Sequence, residues 1–171
     1  MSISVTAALV ASFSFVFAVV WAGIVDLLTF KIRNELVLFL IGVYAALAPL
    51  AGWTLAEIGI NAAVAGCALA LSLICFGLGW IGGGDAKLAS IVVLWLGAEH
   101  TTAYLAYAAL IGGVLSLALL QFRLMVLPAF CLRTPWIIHL HDRGTGVPYG
   151  VPLAVAALVI FPDTLWMNTL L

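Results

Sequence analysis

The sequence predicts an all-α fold, a polytopic membrane protein with about six transmembrane helices, and three observations predict it. Hydrophobic residues fill 66% of the 171 positions, far above the share found in soluble domains. Six basic and seven acidic side chains are too few to clothe a soluble surface of this size. The apolar residues are gathered into runs, most of them near the roughly 17–25 residues that cross a hydrocarbon core as a helix. Those runs are Val5–Leu28, Leu36–Trp53, Ile58–Ile81, the shorter Ala86–Leu96, Ala103–Leu120 and Val151–Leu170. They leave no room for a soluble unit, so residues 1–171 read as one membrane-embedded domain.

No Lys or Arg precedes Lys31, so the first run lacks the basic start of a cleaved signal peptide and is expected to remain as a span. Lys31 to Glu35 forms a short charged turn, with Asn34 as a candidate N-cap for the second helix. Pro49 to Trp53 closes that helix, and Trp53 suits a membrane interface. Ala62, Gly66 and Ala70 stand four apart on the third helix, a spacing that favours close packing in lipid. That run ends in a glycine-rich stretch through Gly84, which weakens helix continuation. Residues 123–143 mix Met125, Phe130, Trp136 and Ile137 with three arginines and are interrupted by Pro128 and Pro135; the composition fits an interfacial segment. Gly146 to Pro152 is a stiff approach to the last span.

Charge sets the expected orientation. With six alternating spans, Lys31, Arg33, Lys87, Arg123, Arg133 and Arg143 all fall on one face, while Glu57, Glu99 and Asp163 fall on the other. The positive-inside rule then places the N-terminus outside and the basic face in the cytoplasm. Cys67, Cys75 and Cys131 show no Cys-x-x-Cys spacing, which argues against a disulfide or zinc site. His139, His141 and Asp142 lie in a basic segment where such spacing is ordinary surface chemistry, so no metal and no other cofactor is expected. A net charge of −1 gives no reason to expect nucleic acid.

Against this background two carboxylates stand out: Asp26, at the end of the first span, and Asp85, in Gly82-Gly83-Gly84-Asp85-Ala86-Lys87-Leu88. An acid at a membrane boundary is costly and marks a functional site by default. For Asp26 alone, a helix-end acid paired with Lys31 or Arg33 is an equally good reading. Two acids at similar depth change the balance. A close pair cannot both ionise cheaply, so one keeps a proton near neutral pH. The ionised member can take a proton from water while the other hydrogen-bonds a scissile carbonyl.

The two motifs resemble those of the type IV prepilin leader peptidase family, membrane aspartyl proteases of the Gly-x-Gly-Asp class. The resemblance rests on Asp26, Ile32 and Asn34, on Gly82, Gly84, Asp85, Lys87 and Leu88, and on Pro148-Tyr149-Gly150 with Pro152. By length the chain is similar to the short peptidases of Flp-type, tight-adherence pilus systems. The resemblance implies that Asp26 and Asp85 are catalytic. Asn34, Gly82, Gly84, Lys87 and Pro148 would bind substrate or support the site, Lys87 by meeting headgroup phosphate or tuning Asp85. It implies as partners prepilin and pseudopilin precursors and the lipid bilayer of the bacterial inner membrane. A homo-oligomer is compatible with the composition. Arg33 stands where the family usually has Pro. The cytoplasmic Cys-x-x-Cys domain of the long members has no counterpart here, so cleavage without N-methylation is expected. Two rival readings remain, a small ion or proton transporter relaying through the two acids and a non-catalytic pilus-assembly subunit.

Overall fold

Along the first helix, α1 (Ile3–Thr29), one face is buried at every third or fourth residue: Ala8, Ala11, Phe15, Val19, Ala22 and finally Asp26. This computed structural model describes residues 2–128 and 131–170, with Leu132 described by its backbone alone; Phe130 of the expected interfacial segment lies outside the described residues. The buried face of α1 is mostly alanine, which lets neighbouring backbones come close, as helix packing in lipid requires. α7 (Gly150–Ile160) uses that closeness. A methyl added at Gly23 would stand 3.1 Å from the Ala154 Cβ, and one added at Gly150 would collide with Asp26. The order of those contacts makes α1 and α7 antiparallel neighbours.

Around this pair α2 (Asn34–Leu50) leans on α1, α5 (Thr101–Phe122) on α7, and α4 (Gly83–Leu96) on α2 and α7. α3 (Leu55–Gly77) is the outermost helix and packs mainly on α4. Among the described residues, four helical stretches are long and apolar enough to cross a membrane: α1, α3, α5 and Gly150–Asn168. α2 and α4 are shorter, and at about 1.5 Å per residue the 14 residues of α4 reach only about 21 Å. The described residues contain helices and connecting turns but no strand, so the all-helical expectation holds.

Several expected details differ. The last span is not one helix: Pro162 falls in a short 3-10 turn, Phe161–Asp163, between α7 and α8 (Leu165–Asn168), because proline cannot supply the next backbone donor. α3 stops at Gly77 rather than Ile81. Gly79 takes a left-handed φ of +75°, and the Trp80 N–H turns back to the Cys75 carbonyl at 2.9 Å, the glycine-led helix stop. Ala62, Gly66 and Ala70 are exposed, and among the described residues nothing beyond the adjoining backbone of α3 lies within 4 Å of a methyl added at Gly66. Trp53 stands in the turn between α2 and α3. It is buried against Trp166, with ring centres 4.6 Å apart, and edge-on to Tyr44. Trp95 stacks on Trp166 at 5.1 Å, and its indole N–H donates to the Leu40 carbonyl, which locks α4 to α2. In the segment after α5, α6 (Pro135–His141) is a two-turn helix. Glu57 completes a reciprocal capping box with Thr54 at the start of α3, which accounts for it structurally.

Candidate active site

Asp26 is the last position of the buried face of α1, and packing against α7 leaves it only 4% exposed. One of its oxygens, Oδ2, accepts the backbone N–H of Gly150 at 2.7 Å. That N–H belongs to the first turn of α7, where no intrahelical acceptor exists and the helix dipole favours an anion. Neither Lys31 nor Arg33 pairs with it. Arg33 is bound instead to Glu35 at 2.6 Å in the exposed turn. Just beyond Asp26, α1 is ended by Phe30, which adopts φ +55° and returns its N–H to the Asp26 carbonyl. This turn carries Lys31 and Ile32 back across the mouth of the site.

Asp85 enters from the other side, in the first turn of α4 and ahead of its apolar stretch. The glycines before it are small for a reason. A methyl at Gly82 would stand 2.8 Å from Asp85 Oδ2, and one at Gly84 would stand 3.1 Å from the Ile32 Cβ. The two motifs therefore touch directly, Ile32 on Gly84. A second link joins them: Lys87 Nζ donates to Asn34 Oδ1 at 2.9 Å. Lys87 is thus engaged with the α1–α2 turn rather than with Asp85. Asn34 is not an N-cap, since Arg33 holds that position without a side-chain bond and Asn34 is the first helical residue.

Asp26 and Asp85, 59 positions apart in sequence, line one open cleft of about 910 Å³ with Phe30, Lys31, Trp80 and Tyr149. Burial and, second to it, the charge of Asp26 push the Asp85 carboxyl up from 3.8 to about 6, against an opposing hydrogen bond from the Gly82 backbone. A carboxyl in that range can keep its proton at near-neutral pH while its partner is ionised, which suits general acid–base chemistry. Of the supporting residues expected from sequence, Gly82 and Gly84 border the cleft, Asn34 and Lys87 tie its two walls, and Pro148 is fully buried behind it. Neither His139 nor His141 lines the cleft: His139 meets the ring of the cleft residue Phe30 edge-on from outside the lining, and His141 Nε2 is 2.9 Å from the Met125 carbonyl oxygen. Tyr149 and Gly150 entered the sequence reading only through the Pro-Tyr-Gly resemblance, with no role at the site. The Pro-Tyr-Gly run was visible, but a backbone N–H leaves no side-chain signature.

A bundle of apolar helices with two carboxylates lining one cleft at its helix ends defines a class, membrane-embedded proteins with an acidic cleft at one end of the bundle. Comparison with known proteins narrows it. The type IV leader peptidase family matches residues 13–117, more than half of the chain and inclusive of both acids. The protein belongs to the type IV leader peptidase family, a family of membrane proteases. Neither a curated protein nor a solved structure matches the chain. The matched region ends before Pro148 and Gly150, so the backbone partner of Asp26 is contributed by the part of the chain beyond it.

Proposed function

We propose that this protein is an aspartyl endopeptidase that removes the leader peptides of type IV, Flp-like prepilins and pseudopilins. The observation that carries the reading is the meeting of Asp26 and Asp85 in one cleft, with glycines clearing the approach to Asp85. Asp26, its carboxylate held by the Gly150 N–H, takes a proton from a water as that water attacks the scissile carbonyl carbon. Asp85, the protonated member, donates to the carbonyl oxygen. The tetrahedral intermediate then collapses: Asp26 passes its proton to the leaving amine, Asp85 recovers its own, and the C–N bond breaks. The whole chain acts as one peptidase domain without metal or cofactor and without methylating the new N-terminus.

An apolar groove of about 480 Å³ between α1 and α2 supports the substrate class. Phe17, Trp21, Leu36 and Phe39 line it, and Ile32 belongs to both the groove and the cleft. A precursor whose apolar helix lies in that groove delivers the residues just before it to the acids. The one-sided basic loops support a cleft at the cytoplasmic side of the inner membrane, with the N-terminus outside. A transporter relay fits less well, because both acids stand at helix ends beside an open cleft rather than within a path across the bundle. Co-expression with a prepilin precursor tests the reading: the intact chain shortens the precursor, and chains bearing Asp26→Asn or Asp85→Asn do not.

A further inference from the structure

Helix α5 contributes no acid to the cleft, yet it grips the segment that brings Gly150 to Asp26 at two points. At its C-terminal end the half-buried Arg123 donates from Nε to the Leu140 carbonyl at 3.0 Å. Its Nη2 reaches Thr145 Oγ1 at 3.1 Å and the Gly146 carbonyl at 2.8 Å. The Thr145 hydroxyl in turn lies 2.8 Å from the carbonyl oxygens of both His139 and Asp142, which closes the turn after α6 into a knot. Three turns earlier on nearly the same face of α5, Gly112 leaves the space that Tyr149 occupies; a methyl there would overlap the tyrosine ring and hydroxyl. Between these two anchors run Gly146, Val147 and Tyr149, all lining the cleft, and the buried Pro148. The next residue is Gly150, whose N–H holds Asp26.

An arginine at a membrane face is ordinarily a topology anchor, its guanidinium free for headgroups. Arg123 is committed otherwise, with donors on both Nε and Nη2 turned inward onto the strap. The planar fork suits that task because it meets several acceptors at fixed angles, which a lysine ammonium cannot do. We propose that Arg123, with Gly112 seating Tyr149, is a positioning residue for the cleavage reaction: the α5 clamp sets where Gly150 holds the Asp26 carboxylate. This inference rests on the peptidase reading of the cleft, but the clamp itself can be read without activity.

The decisive variant is Arg123→Lys, which keeps the charge and any anchoring role while removing the fork. In the full-length protein in lipid nanodiscs, with a purified precursor, kcat per folded molecule falls about 10- to 100-fold while KM stays within about twofold, the pattern of lost positioning rather than lost binding. Thr145→Val, which removes one strut only, gives a smaller drop of the same kind. Independently of turnover, the Gly150 amide proton, deshielded by its bond to a carboxylate, moves upfield in Asp26→Asn and shifts the same way in Arg123→Lys. Wild-type kcat in Arg123→Lys, a change confined to KM, or an unmoved Gly150 amide overturns the proposal. If the wild-type protein cleaves no precursor, the peptidase reading falls while the amide measurement still decides whether the clamp sets Gly150.

Discussion

Replacing Gly150 with alanine should silence the site while sparing the fold. The added Cβ would lie 2.8 Å from the Cβ, Cγ and Oδ2 atoms of Asp26, closer than real Cβ atoms approach other heavy atoms. Ordinary contact begins at 3.4 Å, so the carboxylate must retreat by about 0.6 Å. Retreating along the hydrogen bond stretches the 2.7 Å Gly150 N–H contact to about 3.3 Å, beyond the usual N–H···O range. Reacting groups displaced by about 1 Å lose on the order of 100-fold in rate, so a displacement somewhat over half that size should cost about 10- to 100-fold in kcat. The assay is timed conversion of precursor to mature protein in nanodiscs, normalised to the folded fraction from a thermal melt. Gly113→Ala is the matched control, because among the described residues nothing beyond the adjoining backbone of α5 lies within 4 Å of its added methyl. Gly150→Ala cleaving within about twofold of wild type, with Asp26 still essential, would refute the claim that Gly150 positions Asp26.

Three further outcomes follow from the same geometry. Asp85→Asn should melt higher than wild type at pH 7.5 and lose that advantage below pH 4. Its carboxyl is raised from 3.8 to about 6 in the folded protein, so the native state binds more protons across that window and loses stability as pH rises through it. The rise corresponds to about 3 kcal/mol, cut to roughly 1–2 kcal/mol by solvent in the open cleft; a melt difference that does not change with pH would contradict it. Single cysteines beside Glu57 and Glu99 should react with a membrane-impermeant reagent from outside, and cysteines beside Arg33 and Arg143 should not; the reverse labelling would invert the topology. Purified protein should keep cleaving after exhaustive chelation, whereas loss that zinc restores would bring His139 and His141 into the mechanism.

The helices and the two acids were legible because each leaves a local mark. Apolar runs mark spans, and a carboxylate at the end of such a run is conspicuous in a chain with thirteen acidic and basic side chains. The alanine and phenylalanine face of α1 even points to the burial of Asp26, which continues its three-to-four spacing. What stayed hidden depends on partners far away in sequence. The donor to Asp26 is a backbone N–H 124 positions on, and no residue type announces a backbone donor. Lys87 read as meeting headgroup phosphate, tuning Asp85 or anchoring topology, because its Asn34 partner lies 53 positions back across a helix–helix contact. Trp53 reads as an interface residue from its place at a span end, while its stacking on Trp166 stayed hidden because that partner lies 113 positions on. The break at Phe161–Asp163 and the early stop of α3 were missed despite plain local signals, Pro162 and Gly79.

The most direct measurement is precursor cleavage by Asp26→Asn, Asp85→Asn and the double variant, each in the full chain and at matched membrane levels. Asparagine keeps the shape of the side chain but cannot take a proton from water or share one with its partner. Asp26 and Asp85 acting as one unit predicts that each single variant loses cleavage and that the double variant is little worse than either. Asp142→Asn, whose acid is exposed and lies outside both the cleft and the groove, should cleave at a near-normal rate. Near-normal processing by either Asp26→Asn or Asp85→Asn would contradict an aspartyl dyad.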